Sequence, residues 1–141
     1  MAVSSRPKVY IIILSWNNAA DTIECLDSIF KLESDDFQVV VCDNASTDDS
    51  VGQITDWLTA HQHSLTTLPE AALGQAATTE VVLVQNDRNY GYAGGNNRGL
   101  TYALAAGNLE DFAWIINNDT ILDPGALEEL RQAAEARPEI S

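Results

Sequence analysis

The segment Trp114-Ile115-Ile116-Asn117-Asn118-Asp119-Thr120 ends an apolar run in two amides and a carboxylate. That pattern places a hard oxygen ligand, Asp119, at the carboxyl end of a buried strand. Mg2+ or Mn2+ favours such a ligand and commonly keeps waters and phosphates as its other partners. Three more polar clusters stand upstream: Ser15-Trp16-Asn17-Asn18, Asp43 to Asp48, and Asn86 to Asn97. The last contains Asn89-Tyr90-Gly91-Tyr92-Ala93-Gly94-Gly95-Asn96-Asn97, where glycines let a ligand approach the backbone and amides can bond hydroxyls. It is not a Walker A loop, because no Gly-Lys-Ser/Thr follows. It is not the dinucleotide fingerprint either, which belongs after a first strand. Taken singly, each cluster fits ordinary turn chemistry.

The elements that must carry these residues alternate. Val9 to Leu14, Phe37 to Cys42, Val81 to Val84 and Phe112 to Ile116 are short, continuous apolar runs, as expected of strands buried on both faces of a parallel sheet. Helical stripes follow three of them. Ile23, Leu26, Ile29 and Phe30 mark the first, and Val51, Ile54, Trp57 and Leu58 the second, with Thr47 or Asp48 as its N-cap. The third runs from Tyr92 to Ala106. Asp123 and Pro124 predict the cap and first residue of a last helix, with Leu127 and Leu130 facing inward. His61 to Thr79 lacks periodicity and reads as a long surface connection with one helical turn near Glu70 to Leu73. The expectation is an α/β, Rossmann-like, mostly parallel sheet flanked by helices. Ligands of such sheets bind beyond the carboxyl ends of the strands, and all four clusters follow a strand.

Composition narrows the partners. The 141 residues suit one domain, or a fragment of a larger protein. A net charge of -14, with 21 acidic against 7 basic residues, argues against nucleic acid and against an anionic membrane surface. An acidic protein that holds a diphosphate must mask repulsion locally, through a divalent cation or oriented backbone N–H groups. Cys25 and Cys42 match no zinc or disulfide pattern and read as buried free thiols. No signal-peptide core stands in residues 1 to 8, and a cytoplasmic location is expected, peripheral to the inner face of the membrane for the full-length protein.

The four clusters, in this order and spacing, resemble the N-terminal, donor-binding half of a family 2 glycosyltransferase of the inverting GT-A type. The branch that includes rhamnosyltransferases is the most similar. The resemblance rests on Ile13-Leu14-Ser15-Trp16-Asn17, Val40 to Asp48, the Asn89 to Asn97 segment and Ile116 to Thr120. It implies a single nucleotide-sugar-binding domain over 1–141, incomplete at its C-terminus. It implies that Ser15, Trp16 and Asn17 lie beside the base and that Asp43 contacts base or ribose. Asn44, Ser46 and Asp48 would shape that turn, with Asp48 either a helix cap or a ligand contact. Asn89, Gly91, Tyr92, Gly95 and Asn96 belong to the family's Asn-x-Gly-Tyr/Phe-Ala-x-Gly-Asn-Asn signature and, with Asn118, would face the nucleotide. Asp119 would be the metal ligand, within an Asp-x-Asp-type motif whose first carboxylate is here an amide. Arg88 or Arg98 would touch phosphate, a solvated role suiting Arg98 better.

The implied reaction transfers a sugar with inversion from a nucleotide-diphosphate donor, dTDP-rhamnose or a UDP-sugar, to a hydroxyl of a carbohydrate or lipid-linked acceptor, as in polysaccharide biosynthesis. The family's general base lies downstream, and Glu128 and Glu129 are expected on a helix pointing away from the rim. Arg137-Pro138-Glu139-Ile140 reads as the lead into a further strand. An incomplete sheet would favour a homo-oligomer through its exposed edge. Two other readings remain: a non-catalytic nucleotide-sugar-binding module, and a nucleotidyltransferase. The latter normally has a basic, Gly-rich first loop, unlike Ser15-Trp16-Asn17-Asn18.

Overall fold

A computed structural model describes residues 7–136. The apolar runs form strands β1 (Val9–Ser15), β2 (Phe37–Asp43), β4 (Val81–Gln85) and β5 (Phe112–Asn117). Helices α1 (Ala19–Ile29), α2 (Ser50–Ala60), α3 (Gly91–Ala106) and α4 (Ala126–Ala136) alternate with them. A further strand, β3 (Leu65–Pro69), pairs with β4, and a single 3-10 turn (Glu70–Ala72) follows it. The sheet has five strands in the order β3-β4-β2-β1-β5, every pair parallel.

Strands β1, β2 and β4 are continuously apolar because both faces are covered; β5, against expectation, is an edge strand in which only Ile116 is buried and Ile115 is 38% exposed. Val9, Ile11 and Ile13 of β1 pack with Val39, Val41, Val81 and Leu83 against α1, α2 and Leu127 of α4. Tyr10 and Ile12 turn the other way, with Val40, Cys42, Val82 and Val84, onto Tyr102 and Ala103 of α3. The chain runs from β1 outward to β2 on one side and returns to β5 on the other. The order therefore switches between β1 and β5, where open α/β sheets leave a crevice at the carboxyl edge.

Four further expectations need correction. The connection from His61 to Thr79 is not structureless: β3 lies inside it, unannounced because only Leu68 of its five residues is buried. The expected turn near Glu70 is present as the 3-10 turn. Helix α4 begins at Ala126 rather than Pro124; Asp123 instead accepts the Gly125 N–H at 3.2 Å in a turn before it. Leu127 is fully buried, but Leu130 is 39% exposed, because it stands beside the uncovered edge of β5. The N-cap of α2 is Asp49, not Thr47 or Asp48, and it makes no side-chain cap bond. Asp48 Oδ1 does that work from one residue earlier by accepting the Ser50 N–H at 2.9 Å. The expectation of no signal-peptide core in residues 1 to 8 and the expected strand lead at 137–140 fall wholly or mostly outside the described residues. Among the described residues no helix is long and apolar enough to cross a membrane.

Candidate functional site

Parallel register brings the polar clusters to one rim. Ser15, the last residue of β1, lies opposite Asp43, the last of β2, and Leu14 lies opposite Asn117 of β5. The ladder continues past the strands: the Asn44 N–H donates to Ser15 O, and the Asn86 N–H to Asp43 O, both at 2.9 Å. The loops after β1, β2 and β4 are thus tied at their roots.

Side chains tie them again. Asn17 takes a left-handed conformation, φ 49°. Its N–H donates to Ser46 Oγ at 3.0 Å and its Oδ1 accepts the Thr47 N–H at 2.8 Å. This amide therefore bridges the first two loops more than it faces outward. Asp43 is 4% exposed and accepts the Ser46 Oγ–H at 2.6 Å and the Ser46 N–H at 3.1 Å, one on each oxygen. Each carboxylate oxygen keeps a second lone pair for a ligand N–H.

Asn44 is the hub. Its Oδ1 accepts Asn86 Nδ2 and the Tyr90 N–H, each at 3.1 Å, while its Nδ2 donates to Asn89 Oδ1 at 3.0 Å and Gly91 O at 3.2 Å. Asn89 Oδ1 also accepts the Gly91 N–H at 2.8 Å, so Asn89 and Gly91 (φ 77°) form a closed entry to α3. Gly95 is required by close approach, since a Cβ there would lie 2.4 Å from Leu14 Cδ1 and 3.0 Å from both Asn44 amide atoms. Asn96 is buried; its Nδ2 donates to Tyr92 O at 3.0 Å and its Oδ1 has no protein partner.

Asp119 stands exposed in the turn after β5. Beside it is a cleft of about 330 Å³ lined by Leu14, Trp16, Asn18, Tyr92, Asn117, Asn118 and Asp119. This is the crevice at the β1/β5 switch point. Trp16 and Tyr92 are 48% and 59% exposed, an uncommon state for large rings outside a binding surface. The Tyr92 hydroxyl donates to Asn117 Oδ1 at 3.1 Å, closing α3 onto the β5 loop. Asn118 Nδ2 donates to Thr22 Oγ1 at 3.2 Å. Other hollows border the amino half of β5, and one lies between α1 and Ile121, Leu122 and Pro124 of the loop after β5. Ser15, Asn17, Asp43, Asn89, Gly91, Gly95 and Asn96 do not line the cleft; they build the rim on its β2 and β4 side.

The electrostatics are one-sided. Among the described cations, Lys8 precedes β1, Lys31 follows α1, and the Arg131 guanidinium donates to Pro7 O and Asp36 O, all at the amino side. Arg88 and Arg98 are left for the carboxyl side. Arg98 is not merely solvated, as sequence suggested: its guanidinium lies 3.8 Å from the centre of the Tyr90 ring and its Nε 3.6 Å from Glu70 Oε1. Arg88 stands 5.0 Å from the same ring. Burial alone would raise the Glu70 carboxyl, but the Tyr90 hydroxyl, the Asp87 N–H and Arg98 together hold it below the usual range. Near the cleft, burial and then the Asp119 charge push the Cys25 thiol up to about 12.

Among the described residues no three His, Cys, Asp or Glu side chains converge as a metal site. One exposed carboxylate flanked by two amides still fits a cation that takes most ligands from phosphate and water. Thr22, Asn44 and Glu70 were not singled out as site residues by sequence. Their roles depend on partners 17 to 96 positions away, which no local pattern announces.

A parallel sheet flanked by helices, with a polar crevice at its switch point, defines an open α/β fold. The family model for glycosyl transferase family 2 matches residues 10–141, and the chain belongs to that family. No curated protein matches it. Similar solved structures include S. aureus TarS 1-349 in complex with UDP, at 19% identity and TM-score 0.66, covering 92% of this chain and 32% of that one. The same TarS 1-349 has also been solved with UDP-GlcNAc, at 21% identity and TM-score 0.64, covering 92% and 31%. The mannosyltransferase PcManGT from Pyrobaculum calidifontis, in complex with GDP-Man and Mn2+, matches at 24% identity and TM-score 0.66, covering 94% and 32%. These likenesses establish a GT-A-like fold, and the chain spans about a third of the length of each.

Proposed function

We propose that this chain is the donor-binding part of an inverting glycosyltransferase that moves a sugar from a nucleoside-diphosphate donor to an acceptor hydroxyl. The observation that carries the reading is the cleft at the β1/β5 switch point, where Trp16, Tyr92 and Asp119 meet. The base would lie on the β2 side of that cleft, with Asp43 accepting its N–H. Uracil and thymine both offer such a donor, so a UDP-sugar or dTDP-rhamnose suits the site, in keeping with the rhamnosyltransferase-like motifs. The fold relatives solved with UDP, UDP-GlcNAc and GDP-Man support a nucleotide-sugar ligand.

Chemistry would be a single displacement. The acceptor oxygen bonds to the anomeric carbon, the bond to the diphosphate oxygen breaks, and the configuration inverts. Asp119 would hold the divalent cation, Mg2+ or Mn2+, with the Asn117 and Asn118 amides beside it; the bound cation supplies neutralisation of charge on the departing diphosphate. Trp16 and Tyr92 would wall the reacting sugar from water. The base that takes the acceptor proton is assigned to no residue of this chain, in line with matched structures about three times as long.

Calorimetry with UDP and dTDP, with and without MnCl2, tests the map. Asp119→Ala should abolish the manganese enhancement, a loss of about tenfold or more. Asp43→Ala should weaken binding with or without metal by about tenfold to a hundredfold, the worth of one hydrogen bond to a charged group. Binding indifferent to both substitutions overturns the proposal.

A further inference from the structure

Helix α1 turns a row of small polar side chains toward the loop that follows β5. Thr22, Cys25 and Ser28 are spaced three apart and so share one helix face. They are 0%, 0% and 6% exposed. Each meets a different point of the loop. Thr22 Oγ1 accepts Asn118 Nδ2 at 3.2 Å, the Cys25 thiol points to Asn117 O at 3.9 Å, and Ser28 Oγ accepts the Leu122 N–H at 3.0 Å. Thr22 is also bonded to Ser15 Oγ at 2.8 Å and to Asn18 O at 3.2 Å, which carries the connection into the loop after β1.

The other ties of the loop are few: the Tyr92 hydroxyl to Asn117 Oδ1 at 3.1 Å, the Glu33 N–H to Pro124 O at 3.0 Å, and Leu122 against the core. Residues 118–125 form neither strand nor helix, and within 117–122 the one backbone bond outside the β5 ladder is Thr120 N–H to Asn117 O at 3.0 Å. Asp119 sits between the Thr22 and Ser28 anchors. A buried row of hydroxyl, thiol and hydroxyl along an exposed carboxylate's loop costs core volume that apolar residues would fill. A need to fix that loop accounts for the cost.

We infer that the Thr22–Cys25–Ser28 face of α1 is the positioning device of the Asp119 loop, holding its carboxylate at the mouth of the cleft. The functional half of this inference rests on the reading of Asp119 as the ligand of the donor's cation. Thr22 and Ser28 touch no ligand in it; they act through Asn118 and Leu122.

Two readouts on the intact chain test it: amide hydrogen exchange of residues 117–122 without ligand, and UDP and dTDP affinity with and without MnCl2. Thr22→Val keeps shape and removes the hydroxyl. It should raise exchange in 117–122 and lower the manganese-enhanced affinity, each by about tenfold, with metal-free affinity falling by less. Ser28→Ala should act the same way from the other anchor, and Thr22→Ser should restore both readouts. Unchanged exchange in both Thr22→Val and Ser28→Ala overturns the positioning role, whatever the nucleotide does. A loosened loop that binds nucleotide and manganese as well as the wild type also overturns it. A wild-type chain that binds neither nucleotide more tightly with manganese overturns the metal reading instead, while the exchange result still decides the anchoring.

Discussion

Asn44 spends both ends of its amide inside the protein, bonding Asn86, Tyr90, Asn89 and Gly91 at once. Asn44→Ala would leave a buried Asn86 amide and the Tyr90 N–H without partners, a cost of about 2–3 kcal/mol. Urea unfolding should show a lower midpoint at unchanged slope, and nucleotide affinity should fall with the loosened entry to α3. Sequence marked Asn44 only as a turn shaper. Asp43 and Asp119 were legible because a carboxylate just beyond an apolar strand stands out. Asn44 and Thr22 were not, because the partners of Asn44 lie 42 to 47 residues away and the Asn118 partner of Thr22 lies 96 away. Side-chain bonds across a sheet rim leave no periodic trace.

Helix α3 shows the same contrast one level up. Its existence was legible from Tyr92 to Ala106, but the reason for its glycines was not. Gly95 lets the helix descend onto Leu14 and the Asn44 amide, so Gly95→Ala drives a methyl into both and should cost about 1–3 kcal/mol. Gly74→Ala is the control: its Cβ would meet nothing within 4 Å, and thermal melts of the two variants should show Gly95→Ala destabilised while Gly74→Ala holds or rises slightly. Strand β3 escaped notice for a related reason. Buried strands declare themselves by unbroken Val and Ile, whereas Leu65–Pro69 sits at a sheet edge, two of its residues are Thr, and only Leu68 is buried. Of the sheet's arrangement only parallel pairing was readable; the strand order, the switch point between β1 and β5, and the place of β3 beyond β4 had no local signal.

At the scale of the molecule, burial holds both thiols up at about 12 against an ordinary 9.0. Cys42 has burial as its main cause, and Cys25 has the Asp119 charge in addition. Folded, they stay protonated in mild alkali; unfolded, they ionise near 9.0. The unfolded chain then binds fewer protons, so their contribution is intact below that value and is lost as pH climbs toward 12. Urea midpoints should fall between neutral pH and about pH 10.5, with the raised Tyr10 hydroxyl acting in the same direction.

The crowding of cations away from the carboxyl rim bears on kinetics. With a net charge of -14, and with Arg98 already engaged by Glu70, an approaching polyanion meets a repulsive field. Added monovalent salt should therefore quicken metal-free nucleotide association, where most phosphate-binding proteins are slowed by it. Stopped-flow traces across ionic strengths of about 0.01 to 0.15 M, spanning a threefold or larger change in screening length, would show the rate climbing rather than falling.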